Sequence, residues 1–367
     1  MAPLRPESLR FQHTAGVSPG ALTIAGRDLT REWDVLAEKL GAPPFLRPGW
    51  FQAWHAAYGE GELRLLTVDR GGRLAGVLPV ETKGSATLSP TNTHTPLFGA
   101  LADGPEVEAD LVRELLRTSA GRIELAYVDP ATRWFTALRE MLPGTKRSDR
   151  RSLMVDTISR SPHVPTSGGW DAYRAQRPRK FMKELARLRR RLAERGAVEL
   201  SVHSGAADLE AALDEFVAIE SSGWKAGTGT AIASRDASRR FYADIASWAA
   251  ERGWLRLASL RLDGRAIAAE FDLACAGSLY SLKCGFDPEY RAFGPGQLLT
   301  HDCVKLAFDE GLASYEFLGT DEHYKLNWTD ATRERVRVRS FPRTVSGDLS
   351  AVARHYARPV VRRMRRG

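Results

Sequence analysis

The chain has 367 residues, 43% of them hydrophobic and 27% charged, with a formal net charge of +8. These values fit a globular protein of two domains and exclude a disordered or fibrous chain. No apolar run approaches the ~18 residues of a membrane span, and no apolar segment follows the first basic residues, so neither a spanning helix nor a signal peptide is expected.

Three cysteines, Cys275, Cys284 and Cys303, form no CxxC pair. A reduced, cytoplasmic chain without a disulfide framework or metal site is expected. The charge is local. Residues 174–195 hold ten Arg or Lys against Glu184 and Glu194, and residues 354–367 hold six Arg and no acid. Such segments are either solvated surface or contacts for a polyanion, whether CoA phosphates, tRNA, an anionic membrane or a nucleotide-linked substrate.

In chain order, residues 1–24 lack periodicity and read as an N-terminal arm. Asp28 to Leu40 has helical spacing at Leu29, Trp33, Leu36 and Leu40, and Gly41 to Pro44 stops it. Residues 48–58 read as a second helix. Leu63–Val68, a turn at Asp69–Gly72 and Arg73–Val80 form a β-hairpin. The pattern returns 192 positions later: Leu63-Arg64-Leu65 matches Leu255-Arg256-Leu257, and Gly72-Arg73 matches Gly264-Arg265. A helical segment precedes each hairpin. Chance could produce this, but order and spacing favour an internal duplication.

Leu153–Asp156 reads as a strand and residues 161–169 as a Pro/Gly/Ser loop. Residues 170–195 read as one long helix with an apolar seam of Phe181, Leu185, Leu188 and Leu192, and Gly196 as its C-cap. Asp208 to Ser221 is a further helix. A meander follows, with strands at 255–262, 266–273 and 279–284. Next come the Gly294-Pro295-Gly296 turn, a helix from about 297 to 310 and a strand at 313–318. The domain boundaries expected are 25–155 and 156–345, with a tail at 346–367.

The strand–turn–helix order around Gly294 suits an anion site. Amides at a helix start lack intrahelical partners and sit at the positive end of the dipole. Gly294 and Gly296 let an oxygen approach, Arg291 can add charge, and Pro295 removes one donor. Glu270 and Asp272 interrupt an apolar run on one strand face, so Glu270 is either a general base or a solvated carboxylate. Asp287 and Tyr290 could bind substrate or act as acid, though Asp-Pro also starts turns. Glu220 and Lys225 flank Trp224 and could line an acceptor pocket or form a surface pair. Tyr280 and Lys283 face a thioester or simply pack. His323 lies among Asp321, Glu322 and Lys325. Cys284 has no His near it in sequence, which disfavours an acyl-enzyme.

Arg291-Ala-Phe-Gly-Pro-Gly296 resembles the R/Q-x-x-G-x-G/A pyrophosphate loop of the GNAT acyltransferase superfamily. The second half is similar to its CelD-like branch through residues 177–190, 220–225, 270–273, 285–290 and 319–325. The first half is similar through residues 44–50 and 76–79. The resemblance covers about residues 25 to 345. The branch also resembles the Fem family of aminoacyl-tRNA-dependent transferases, whose Tyr-x-Phe-Lys signature Tyr324-Lys325 approximates without the Phe.

The resemblance implies an α/β (α+β) fold of tandem GNAT-like domains, each a mixed, mostly antiparallel twisted sheet flanked by helices. It implies an N-acyltransferase using acetyl-CoA or another acyl-CoA, with the amine of a small molecule, sugar or peptide held between the domains. Catalysis would fall to Glu270, Asp287, Tyr324 and Lys325. Donor binding would fall to Lys283, Cys284, Arg291, Gly294, Gly296, Gln297 and Leu298. Acceptor binding would fall to Glu220, Trp224, Lys225, Tyr280, Tyr290, Asp321 and His323. One alternative donor is aminoacyl-tRNA, held through residues 174–195. Another alternative is a non-catalytic scaffold in envelope polysaccharide biosynthesis, docked by its basic tail.

Overall fold

The computed structural model describes residues 23–24, 27–142, 151–222, 232 and 236–342. The arm and tail lie outside these residues, apart from Thr23 and Ile24. The chain divides into two compact units. The first comprises residues up to His55, Gly59–Ile158 and the chain from Glu334; the second comprises Ala56–Tyr58 and Ser159–Arg333.

In the first unit, β1 (Thr23–Ile24) and β2 (Arg27–Asp28) pair and lead into α1 (Leu29–Lys39). The Asp28 carboxylate caps α1 by accepting from Arg31 N at 3.2 Å. Next come α2 (Pro48–Tyr58), β3 (Glu62–Arg70), β4 (Arg73–Lys83), β5 (Ala86–Leu88) and β6 (Leu101–Ala102). The unit continues with α3 (Pro105–Thr118), β7 (Ile123–Val128) and α4 (Arg133–Met141). Trp33, Phe51, Leu78, Leu111 and Leu125 sit in its buried core.

Strand β8 (Arg151–Pro165) begins in the first unit and ends in the second. The second unit continues with α5 (Trp170–Gln176), α6 (Arg179–Ala193), β9 (Val198–His203), α7 (Leu209–Ser222) and α8 (Asp236–Glu251). Then come β10 (Leu255–Leu262), β11 (Arg265–Cys275), β12 (Ser278–Phe286), α9 (Pro295–Asp309) and β13 (Ser314–Glu316). Its strands run in the order β8-β13-β12-β11-β10-β9. All neighbours from β8 to β9 are antiparallel except β12 and β13, which are parallel. Finally β14 (Thr332–Pro342) pairs with β7, completing the first unit's order β3-β4-β5-β7-β14. Both units are thus mixed, mostly antiparallel sheets with helices, as expected.

The repeat seen in sequence is structural. Strands β4 and β11 have the same length, 192 positions apart. Leu63 faces Glu81 in one hairpin and Leu255 faces Leu273 in the other, and each register slips at the matching place, after Val68 and after Leu260. A bulge shared at one position is hard to reach independently.

Three local expectations are corrected. Residues 170–195 form two helices, because Pro178 holds Arg177 extended (ψ 154°) and ends α5. The expected loop at 161–169 is strand as far as Pro165, where β13 supplies the pairing. The strand expected at 313–318 stops at Glu316, and Leu318 takes a left-handed conformation (φ +55°).

Candidate active site

The site belongs to the second unit and starts with β12. This strand lies between β11 and β13, yet of its nine residues only Leu279 is fully buried. The cause is pairing length. β13 covers Ser278–Tyr280 and then stops, while β11 follows β12 as far as Phe286. One edge of β12 from Ser281 onward, the stretch that carries Lys283 and Cys284, therefore lacks a strand partner among the described residues. Gly285 lies on the way: a Cβ there would meet Glu220 Cα at 2.5 Å, so α7 packs directly on the β12 backbone.

The chain then makes a 3-10 turn over Pro288–Phe293, begun by Asp287, whose carboxylate accepts from Glu289 N at 3.0 Å and from Arg265 at 2.7 Å. The Arg265 guanidinium also lies 5.7 Å from the Tyr290 ring centre. Gly294 (φ +59°) turns the chain into α9 in a left-handed conformation that glycine adopts without strain. Among the described residues no side chain caps α9; no acid lies in its first turn, and its first backbone bond is Leu298 N–H to Gly294 O at 3.1 Å. The Gly296 and Gln297 amides precede that bond. Gln297 Oε1 is buried without a partner among the described residues, while Arg291 is exposed. Leu188 of α6 covers the turn, 2.9 Å from where a Gly294 Cβ would stand.

The repeat supplies an internal comparison. In the first unit α3 also begins Gly104-Pro105, with Glu108 N–H bonded to Gly104 O at 3.1 Å. Its first turn, however, holds Glu106 and Glu108. Those carboxylates occupy the positive end of the helix and repel an anion. Strand β4 likewise has Leu78 and Val80 where β11 has Glu270 and Asp272. The acid pair and the acid-free helix start occur together in the second unit alone.

Glu270 and Asp272 point from β11 toward α9, whereas Phe271 between them packs on Phe216 and Tyr242 on the other face. Glu270 is 2% and Asp272 0% exposed. Thr300 donates to Glu270 Oε1 at 2.8 Å and Tyr315 to Oε2 at 3.0 Å. Burial pushes the Glu270 carboxyl above its ordinary range, although these hydroxyls work the other way. Asp272 is pushed well above, first by burial and then by the charge of Glu270 beside it. Of the two, Asp272, which lacks these hydroxyl donors and lies beside the Glu270 charge, is pushed further toward its protonated form. Glu270, Asp272 and Cys303 also offer ligand atoms within 4.8 Å of one another, which could hold a metal ion. Burial drives the Cys303 thiol well up, and a metal would need these groups deprotonated. Of this cluster, sequence patterning singles out the β11 acids but misses Thr300 and Tyr315, which reach it from other elements.

After β13 the loop 318–325 folds over its own lysine. Lys325 is 6% exposed, and its ammonium donates to Leu318 O at 3.0 Å and Thr320 O at 3.1 Å and pairs with Glu322 at 2.6 Å. It thereby holds the strained Leu318 turn. The neighbouring Tyr324 is 38% exposed. Burial of part of the ring, and then the charges of Cys284, Glu322 and Glu270, push its phenol above the ordinary range.

Other residues singled out in sequence are spread more widely. Glu220 is buried and accepts from Ile232 N at 2.9 Å. Tyr280 is half-buried, its phenol pushed up to about 12 by burial. Asp321 and His323 are exposed. Trp224 and Lys225 lie outside the described residues.

Residues 179–326 match the family described as the acetyltransferase (GNAT) domain. No curated protein matches the chain in sequence. Among solved structures, FemX superposes with a TM-score of 0.58 at 15% identity, over 86% of this chain and 96% of that one. L-PGS from Bacillus licheniformis gives 0.53 at 8% identity, over 83% and 94%. A conserved protein of unknown function from Bacteroides thetaiotaomicron gives 0.54 at 13%, over 91% and 100%. At these identities the likeness is one of fold.

Proposed function

On the premise that residues 179–326 belong to the GNAT acetyltransferase domain family, we propose that the second unit is an N-acyltransferase that moves an acyl group, acetyl in the first instance, from CoA to an amine. The observation that supports this best is the open edge of β12 running to an uncapped, acid-free helix start, with a buried carboxylate behind it.

In this reading the Gly296 and Gln297 amides and Arg291 hold the donor phosphates, and Gln297 Oε1 accepts an amide N–H of the donor's arm. The amine nitrogen bonds to the acyl carbon as the carbon–sulfur bond breaks. Glu270 accepts the amine proton, its raised pKa making it a stronger base than an ordinary carboxylate. Tyr324 gives a proton to the departing sulfur. Asp287 and Lys325 hold the two loops that carry these groups. Lys283, Cys284 and Leu298 wall the donor, while Glu220, Trp224, Lys225, Tyr280, Tyr290, Asp321 and His323 serve the acceptor amine.

Titration calorimetry with acetyl-CoA and longer acyl-CoAs tests this. Binding that weakens in Arg291→Glu is expected, and no binding of any acyl-CoA sinks it. A second reading, aminoacyl-tRNA as donor, draws on Leu188 and Pro295, which both narrow the phosphate cradle. It expects RNA binding that falls steeply with salt, and acyl transfer from charged tRNA where acyl-CoA is inert.

A further inference from the structure

A cavity of about 470 Å³ lies between α6 and α9, on residues that the proposed transfer does not use apart from Leu298. Four cations line it: Arg174, Arg179, Lys183 and Arg189. Arg189 is committed, since it pairs with Asp302 at 2.6 Å, and that carboxylate also takes the His301 ring at 3.0 Å. Arg174, Arg179 and Lys183 have no carboxylate partner among the described residues. The floor between them is apolar, made by Met182 with the buried Leu185 and Leu298.

We infer that this cavity binds an organic phosphate of nucleotide size, at a site that meets the start of α9 only at Leu298. Three like charges around one hollow repel one another when it is empty, and a di- or trianion relieves that repulsion. Two guanidiniums match phosphate oxygens in pairs, while a lysine supplies a point charge. The floor needs an apolar or aromatic body attached to the phosphate, and methionine adapts to such a surface. The volume lies in the range of small-molecule pockets, ~300–1,000 Å³. A single-stranded nucleic acid would call for aromatic side chains on which successive bases stack, and no Phe, Tyr or Trp is among the residues that line this cavity.

The test measures ADP, inorganic pyrophosphate, adenosine and a single-stranded RNA oligonucleotide by calorimetry on full-length Arg291→Glu protein, in which the helix-start site is impaired. ADP is expected to bind, at least tenfold tighter than pyrophosphate or adenosine. The double substitution Arg179→Ala/Lys183→Ala, or Arg174→Ala alone, should weaken ADP at least tenfold. Both change exposed side chains, so the thermal melting midpoint should not fall. The inference is overturned if ADP fails to bind, if ADP binding survives both variants, or if the RNA alone binds.

Discussion

Tyr315 donates its hydroxyl to Glu270 Oε2 at 3.0 Å, joining the short strand β13 to β11, the second strand over from it. A donor on a carboxylate favours the charged form, so Tyr315→Phe should raise the Glu270 pKa further. A hydrogen bond to a charged group contributes roughly 1.5–3 kcal/mol, or about one to two pH units. The acid limb of the pH–rate profile should move up by that amount, with activity regained at higher pH. Glu270→Gln should instead lose ~10²- to 10⁴-fold at every pH. An unmoved acid limb in Tyr315→Phe removes Glu270 as the base.

Burial and the Glu270 charge oppose ionisation of Asp272 in the folded state. Its folded pKa is raised, so its stabilising contribution is complete below the ordinary carboxylate range and is lost as pH rises toward the folded pKa. Across that window the folded state keeps one proton that the unfolded chain gives up, a slope of about 1.4 kcal/mol per pH unit. Asp272→Asn should therefore flatten the dependence of stability on pH, gaining on the wild type at pH 8 relative to pH 4. Urea titrations at the two pH values measure it, and parallel slopes would count against a protonated Asp272.

Gly285 gives α7 its seat on β12. A methyl at this position meets backbone of Glu220 and Ile219 rather than a flexible side-chain end. Overpacking of this kind costs about 1–3 kcal/mol. Gly285→Ala should lower the thermal midpoint and reduce transfer, because the displaced helix packs on β12, whose open edge serves the donor in the proposed transfer. An unchanged midpoint contradicts the packing.

Lys325 acts through the loop it holds. Lys325→Met leaves the carbonyls of Leu318 and Thr320 without their donor. The prediction is a lower kcat with the KM for acyl-CoA little changed, since Tyr324 loses its position while the helix start of α9 is untouched. A kinetic series on this variant separates that outcome from a direct phosphate contact, which would raise KM.

Much of the scaffold is legible in the residues. The seam Phe181, Leu185, Leu188 and Leu192 and the twin hairpins follow from local spacing, and their periodicity survives in the fold because burial selects the same faces. The site is legible only in part. Glu270 and Asp272 stand out as acids in an apolar strand, and Gly294-Pro295 stands out as a helix start. Thr300, Cys303 and Tyr315 do not, because each is an ordinary helix or strand residue until the sheet brings β11 beside α9.

What the amino-acid order settled by itself is therefore local: the turn chemistry at Gly294, the period of each helix and the length and register of the repeated hairpins. Tertiary structure decided where β13 stops, and hence that β12 keeps an open edge. It also decided that the Lys325 ammonium turns inward to its own loop and that two carboxylates share one dry volume. Hydrogen bonds and desolvation between residues tens of positions apart govern these outcomes, and no window of sequence contains both partners.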